Sequence, residues 1–315
     1  MQQRQATTAL PLLLVALLCT ATTPPAAQAT APDDAGGRAY EFLRMPAEPE
    51  GRSLASAHLA VVGGAGAMAW NPAGLARAPE PALILAHATW MAETSWEWGA
   101  LALPLHEGRG GLGVCVGALR VGSLEQYDSE GQPLGSFSPL LTCGSLGYAT
   151  ALGDHLRAGI LLEGVLERSG VDTERSAWAG GVGLQWESRR LAVGVSALHL
   201  APESEIEETR FPLPMTVRAG ATWAVGHTLR VHGAVEYVAE SAPRLLAGWA
   251  WQPVRGLRAL TGLLHDPAHR EEAWRPTCGL ACTVGRVGVT YGYQPAAWLD
   301  ASHQLALSFG GPAPF

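Results

Sequence analysis

The run His265-Asp266-Pro267-Ala268-His269 brings two imidazoles and a carboxylate together within five residues, the residue types of a zinc site. Pro267 favours a turn, and no further clear ligand lies nearby, so the run is read as a solvated loop and no metal is expected. Neither a G-x-S-x-G nucleophile elbow nor an H-E-x-x-H pair occurs, so neither enzymatic chemistry nor a cofactor is expected. Gly64-x-Gly66-x-x-Ala69 has the glycine spacing of a phosphate cradle but lacks the preceding strand that gives a dinucleotide fingerprint its meaning. Cys115 and Cys143 lie on consecutive candidate strands, equidistant from the middle of the loop between them, which would set them opposite each other. Directly opposed Cβ atoms stand about 4.5–5.5 Å apart, within reach of a disulfide after a small backbone adjustment. Both oxidation states stay open. Cys278 and Cys282, four apart on one strand, are separated by about 13 Å and read as small lipid-facing residues.

A second set of chemistry-bearing residues shares the parity of the polar strand faces. It comprises Arg157, Arg218, Arg230, Arg244, Arg258, Arg275 and Arg286, with Glu163, Glu167, Glu187 and Glu236. Enclosed in a lumen, such charges act either as a solute-selecting constriction or as a salt-bridge network that holds a plug. Both signs are interleaved, which favours the network.

These residues need strands to carry them. From Pro81 onward the chain breaks into fourteen segments of about ten residues, several alternating at period two. In Thr228–Tyr237 one face is Leu229, Val231, Gly233, Val235 and Tyr237, and the other is Arg230, His232, Ala234 and Glu236. Connections after even-numbered segments are short, such as Gly153-Asp154, Gly226-His227 and Gly285, whereas most others are longer and more polar. Short turns at one end and long loops at the other are the pattern of an outer-membrane β-barrel. Composition agrees: 48% hydrophobic and 16% charged residues, 38 glycines and 11 tryptophans, with no apolar run long enough for a transmembrane helix. A β-sandwich would alternate too, but would not need so apolar a face on nearly every strand. A net charge of -7 without a basic stripe argues against a nucleic-acid partner. The fold expected is all-β: an antiparallel transmembrane barrel of about fourteen strands over residues 81–315.

Ahead of the barrel, Arg4, the apolar stretch Leu10–Cys19 and Ala27-Gln28-Ala29 describe a signal peptide over residues 1–29. Cys19 follows Leu18 rather than the small residue that lipidation wants. Residues 30–80 do not read as strands and are expected to form an N-terminal plug, with Ser53–Val62 helix-compatible and Asn71-Pro72 a turn. The chain ends Phe309-Gly310-Gly311-Pro312-Ala313-Pro314-Phe315. Phe309 and the terminal Phe315 resemble the signal read by the barrel-assembly machinery, which would make that machinery and outer-membrane lipid partners.

Phe42-Leu43, then Gly63-Gly64-Ala65-Gly66, then Trp70-Asn71-Pro72-Ala73-Gly74-Leu75-Ala76 resemble the opening of the PorV/PorQ family of outer-membrane proteins. That family is similar in turn to the FadL-type transporters. Tyr127–Phe137 continues the resemblance, while the usual acidic residue ahead of the NPAG segment is replaced by Gly66-Ala67-Met68-Ala69. The resemblance implies a fourteen-stranded barrel whose plug is held through Gly64, Gly66, Trp70, Asn71, Pro72, Ala73 and Gly74. It further implies a docking or assembly role in a type IX-like secretion process, with secretion-system proteins or secreted cargo as partners. The FadL relationship implies the alternative, passive uptake of a hydrophobic ligand. Candidate lumen positions crowded with Gly and Ala give no evident greasy path and favour docking.

Overall fold

The computed structural model describes residues 39–310 except 91–92, 106–108, 129, 169–173, 203, 207–208, 212, 240, 269–272 and 296–300. The expected signal peptide over residues 1–29, Phe315 and His269 therefore lie outside the described residues. Eighteen strands follow one another: β1 (Ala82–Thr89), β2 (Ser95–Leu105), β3 (Gly110–Arg120), β4 (Leu124–Tyr127), β5 (Pro133–Phe137) and β6 (Leu140–Ala151). Next come β7 (Leu156–Arg168), β8 (Glu174–Glu187), β9 (Leu191–Leu200), β10 (Ser204–Ile206), β11 (Thr209–Phe211) and β12 (Thr216–Val225). The chain then runs through β13 (Leu229–Val238), β14 (Arg244–Val254), β15 (Leu257–His265), β16 (Trp274–Val284), β17 (Val287–Gln294) and β18 (Ser302–Phe309).

Fourteen of these form a closed antiparallel barrel, each pairing with its neighbour in sequence and β18 returning to β1. The other four make two small hairpins, β4–β5 and β10–β11, inside long connections at one end. Closure leaves no unpaired sheet edge, which is the condition for a sheet to cross a bilayer.

Alternation decides which way each side chain points. Val116, Leu146, Ile160, Leu162, Trp178 and Val182 are exposed on the outer face, while Ala100, Cys115, Ala149 and Leu161 are buried inside. Exposed aromatics mark both ends of that outer face, with Trp178 and Trp274 towards the long loops and Trp223 and Trp251 towards the short turns. An apolar outer band between aromatic girdles fits a lipid environment.

The lumen is filled by residues 39–80. A 3₁₀ turn over Glu41–Arg44 is followed by α1 (Pro49–Ser53), a 3₁₀ turn over Gly64–Gly66, α2 (Ala67–Trp70) and a longer 3₁₀ turn over Pro72–Arg77. The helix-compatible stretch Ser53–Val62 forms turns rather than a helix beyond Ser53. Helix α1 ends at Ser53 because Ala55 and Ser56 take left-handed backbone angles, φ 50° and 64°.

Wall glycines let this backbone lie against the sheet. A Cβ on Gly183 or Gly159 would run into Asn71 or the Pro72–Ala73 peptide, and one on Gly262 would stand 2.5 Å from the Ala55 nitrogen. Gly183→Val should therefore destabilise the folded protein by about 1–3 kcal/mol. Gly233→Val, whose Cβ meets nothing within 4 Å on the outer face, should leave it unchanged. Urea unfolding midpoints in detergent micelles measure both.

Candidate functional site

Asn71 is the centre of the plug's attachment. Pro72 starts the 3₁₀ turn and Asn71 caps it, its Oδ1 accepting from the Ala73 N–H at 3.1 Å. Its Nδ2 faces three carbonyl oxygens: Leu59 in the plug at 3.3 Å, Leu184 on β8 at 3.0 Å and Val195 on β9 at 3.3 Å. Gln185 completes the join from the wall, its Nε2 donating to Leu59 O at 2.9 Å and Val62 O at 3.0 Å. Both amides are fully buried. Pro72, Ala73 and Gly74 are buried with Asn71, and a Cβ on Gly74 would run into Val62 O. Gly64, at φ 60°, opens the preceding turn, whose last residue, Gly66, is buried.

Two bidentate ion pairs link plug to wall in opposite senses. Arg77 of the plug grips Glu187 of β8 at 2.6 and 3.1 Å, and Arg258 of β15 grips Glu50 of the plug at 2.6 and 2.8 Å. Arg157 joins the first at 3.2 Å. Arg52 reaches the closing strands, donating to Gln304 Oε1 at 2.8 Å, Gln294 Oε1 at 3.3 Å and Ser302 Oγ. Gln304 returns two bonds to the plug carbonyls of Pro46 and Ala47. Burial pushes Arg52 down to about 10, so it remains charged at neutral pH.

Trp70 ties the two halves of the plug together. Its Nε1 donates to Glu48 at 3.1 Å, its ring meets His58 edge-on at 5.5 Å, and Gly51 lies against it where a Cβ would collide. The Arg218 guanidinium sits 5.3 Å from the ring centre. Glu48 caps α1 by accepting from the N–H groups of Glu50 and Gly51. Burial, aided by the neighbouring charge of Glu50, raises the Glu48 carboxyl to about 7. Burial also lowers His58 to about 4. For Glu50 burial acts upward, but the Arg258 charge and its hydrogen bonds hold the carboxyl below its usual value.

Between plug and wall, in the half of the barrel nearer the long loops, lies a cavity of about 40 Å³. Trp70, Trp96, Trp98, Leu43, Met45, Met68, Leu161 and Leu198 give it an apolar lining. Its charged groups are already paired: Arg44 with Glu41 at 2.8 Å, His199 with Glu163 at 2.7 Å and Arg218 with Glu236 at 2.7 Å. His199 is brought in by a bulge in β9, where its φ is 57° and the register against β8 shifts. The volume is that of a few water molecules, well below the engineered cavity that holds benzene, so a larger solute needs plug side chains to move.

Several sequence expectations are corrected or refined. Arg286 is not in the lumen: it sits in the β16–β17 turn, exposed, pairing with Glu80. Cys115 and Cys143 are not opposed; register pairs Cys115 with Ser145 and Cys143 with Gly117, and both thiols are free. The hairpin is centred on residue 130 rather than 129, so each residue of β3 meets a partner two positions further along β6 than an opposed cysteine pair would need. Arg230 faces inward, half-buried. His265 stacks on Trp274 at 4.3 Å and Asp266 pairs with Arg244 at 2.9 Å. Among the described residues no cluster of three metal-ligating side chains forms. Phe309 points outward, and Cys278 and Cys282 are exposed on the same outer face. Glu48, Glu50, Arg52, His58, Arg77, Gln185 and Gln304 were not singled out in the sequence. Gln185 and Gln304 carried a usable signal: uncharged amides at inward positions of otherwise small-residue faces.

Solved structures of FadL-type transporters share the fold of this closed barrel. A Pseudomonas aeruginosa FadL homologue superposes with a TM-score of 0.58 at 9% identity, over 84% of this chain and 98% of that one. The Pseudomonas putida toluene transporter TodX gives 0.59 at 11% identity, over 84% and 98%. The CymD monoaromatic hydrocarbon channel gives 0.57 at 13%, over 83% and 96%. At these identities the likeness is one of fold. The PorV/PorQ resemblance gains no support from these structures. The sequence matches no family model and no curated protein.

Asn71→Ala leaves carbonyls of the plug and of β8 and β9 short of a donor. It should cost about 1–3 kcal/mol and raise entry of small hydrophobic or antibiotic probes in cells carrying normal amounts of barrel. Unchanged permeability would count against its anchoring role. The two shifted plug groups act on stability in opposite directions. The contribution of Glu48 is complete below pH 4.5 and is lost as pH rises through about 7, whereas that of His58 is complete above pH 6.5 and is lost as pH falls through about 4. Their slopes oppose each other between these limits. His58→Gln should therefore expose a stability that falls from pH 5 to pH 7, measured as urea midpoints across that range.

Proposed function

We propose that this chain is an outer-membrane channel for passive uptake of small, uncharged hydrophobic molecules. The observation that carries the reading is the cavity: aromatic and aliphatic walls, with each arginine, histidine and carboxylate side chain that lines it already engaged by a side-chain partner. Admitting a carboxylate would mean breaking one of those pairs in a poorly hydrated site, whereas an uncharged solute breaks none. The fold is shared with proteins described as a toluene transporter and a monoaromatic hydrocarbon channel, which supports the same class of solute.

Location in the outer membrane is part of the proposal. It is supported by the apolar outer band, the two aromatic girdles and the signal-peptide pattern of residues 1–29. Insertion by the barrel-assembly machinery belongs to the same reading. The docking role in secretion rests on the sequence resemblance and on the small residues of the lumen strands, whereas the aromatic and aliphatic lining of the cavity supplies the apolar surface that those strands alone did not suggest.

Cells expressing the chain should accumulate radiolabelled toluene faster than cells without it, with no gain for benzoate. Met45→Trp, which fills the cavity from the plug side, should cut the toluene gain severalfold while the heat-modifiable barrel persists. Equal toluene entry with and without the protein would reject the channel. Loss of a surface-exposed secreted protein in a deletion strain, with uptake unaffected, would favour docking instead.

A further inference from the structure

The charges at the two ends of the barrel are sorted by sign. The long connections are acidic, with Glu125, Asp128 and Glu130 between β3 and β6 and the run Glu203-Ser204-Glu205-Ile206-Glu207-Glu208 between β9 and β12. The short turns at the other end are basic. Arg109 lies in the β2–β3 turn, Arg189 and Arg190 in β8–β9, Arg255 in β14–β15 and Arg286 in β16–β17, all exposed. The two remaining short turns each carry an exposed histidine, His155 and His227. Only Asp154 and Glu107 oppose them within these turns. Arg286 is engaged by Glu80. Arg109, Arg189, Arg190 and Arg255 make no side-chain ion pair among the described residues.

Depth sets what these four guanidinium groups meet. The Ala224 N–H donates to the Arg190 carbonyl at 2.8 Å, which places Arg190 one residue beyond the exposed Trp223. Arg255 lies in the β14–β15 turn, beyond the Val254–Leu257 pair and four residues past the exposed Trp251. Tryptophans of a girdle lie at the edge of the hydrocarbon. A cation one to four residues further out therefore lies among headgroups rather than free in the periplasm. The chain uses arginine for every one of its 21 basic side chains, and a guanidinium can take a phosphate in a two-pronged hydrogen-bonded pair that an ammonium cannot.

From this we infer that the short-turn rim is a binding ring for anionic phospholipid headgroups of the periplasmic leaflet, with Arg109, Arg189, Arg190 and Arg255 as the phosphate contacts. The ring rests on the reading of the chain as an outer-membrane barrel. It concerns the lipid that surrounds the protein rather than the solute inside it. The acidic opposite end repels such headgroups, so the preference also fixes which way up the barrel sits relative to an asymmetric bilayer.

The test reconstitutes the full chain into bilayers of phosphatidylcholine mixed with phosphatidylglycerol, extracts it in mild detergent and weighs the lipid that stays bound. Phosphatidylglycerol should be retained severalfold over its share of the bilayer. The combined variant Arg109→Gln, Arg189→Gln, Arg190→Gln, Arg255→Gln should lose that excess while keeping the heat-dependent gel shift of a folded barrel. No excess on the native chain, or an excess untouched by the four substitutions, would overturn the ring. A chain that does not enter the bilayer would reject the membrane reading along with it, whereas an inserted chain without lipid preference rejects the ring alone.

Discussion

A plug built of short turns carries peptide groups that its own secondary structure leaves unpaired, and inside a barrel no bulk water satisfies them. Two buried amides answer that constraint. Asn71 and Gln185 approach from the plug and from β8 and converge on Leu59 O, and between them they also serve Val62, Leu184 and Val195. An amide suits this place because it donates without bringing a charge that would need its own partner. The wall glycines follow from the same join: carbonyls of plug and wall come within reach of one side chain only where the sheet has no Cβ.

Around that join the electrostatics divide by level. Arginine–carboxylate clamps at Glu187 and Glu50 lock plug to wall, while the pairs His199–Glu163 and Arg218–Glu236 line the cavity without joining plug to wall. The same residue types therefore fasten the plug in one place and leave an electrically quiet, aromatic chamber in another. What separates the two uses is whether the two partners stand on different bodies, plug and wall, or both on the wall.

The barrel strands were legible because lipid outside and a packed lumen inside impose period two on every strand. The segment read as Thr228–Tyr237 corresponds to β13, Leu229–Val238, within one residue at each end. The small strands β4 and β5 carry no alternation, since they are largely exposed and pack no face against a core. The plug was legible as a departure from strand patterning and through Asn71-Pro72, where turn chemistry is local. Its helix boundary was not, because Ala55 and Ser56 adopt left-handed angles that only the surrounding wall enforces. Long-range partners such as Arg52 with Gln304 leave no mark on the spacing of either residue.

The plug also meets the barrel in two instalments. Pro72–Arg77 packs against β2, β3, β6, β7 and β8, whereas Pro49–Ser53 packs against β15, β16, β17 and β18. The first group of strands follows the plug closely along the chain, so those contacts close modest loops. The second set includes Arg52 with Gln304, 252 residues apart, and such distant pairs form late because a long loop must be closed first. Assembly acquires a sequence of events from this layout. The early strands can wrap around the near half of the plug while its far half waits, and the seam between β18 and β1 is sealed when Arg52 finds the last two strands. The plug is in that respect a mandrel for the barrel as well as its stopper.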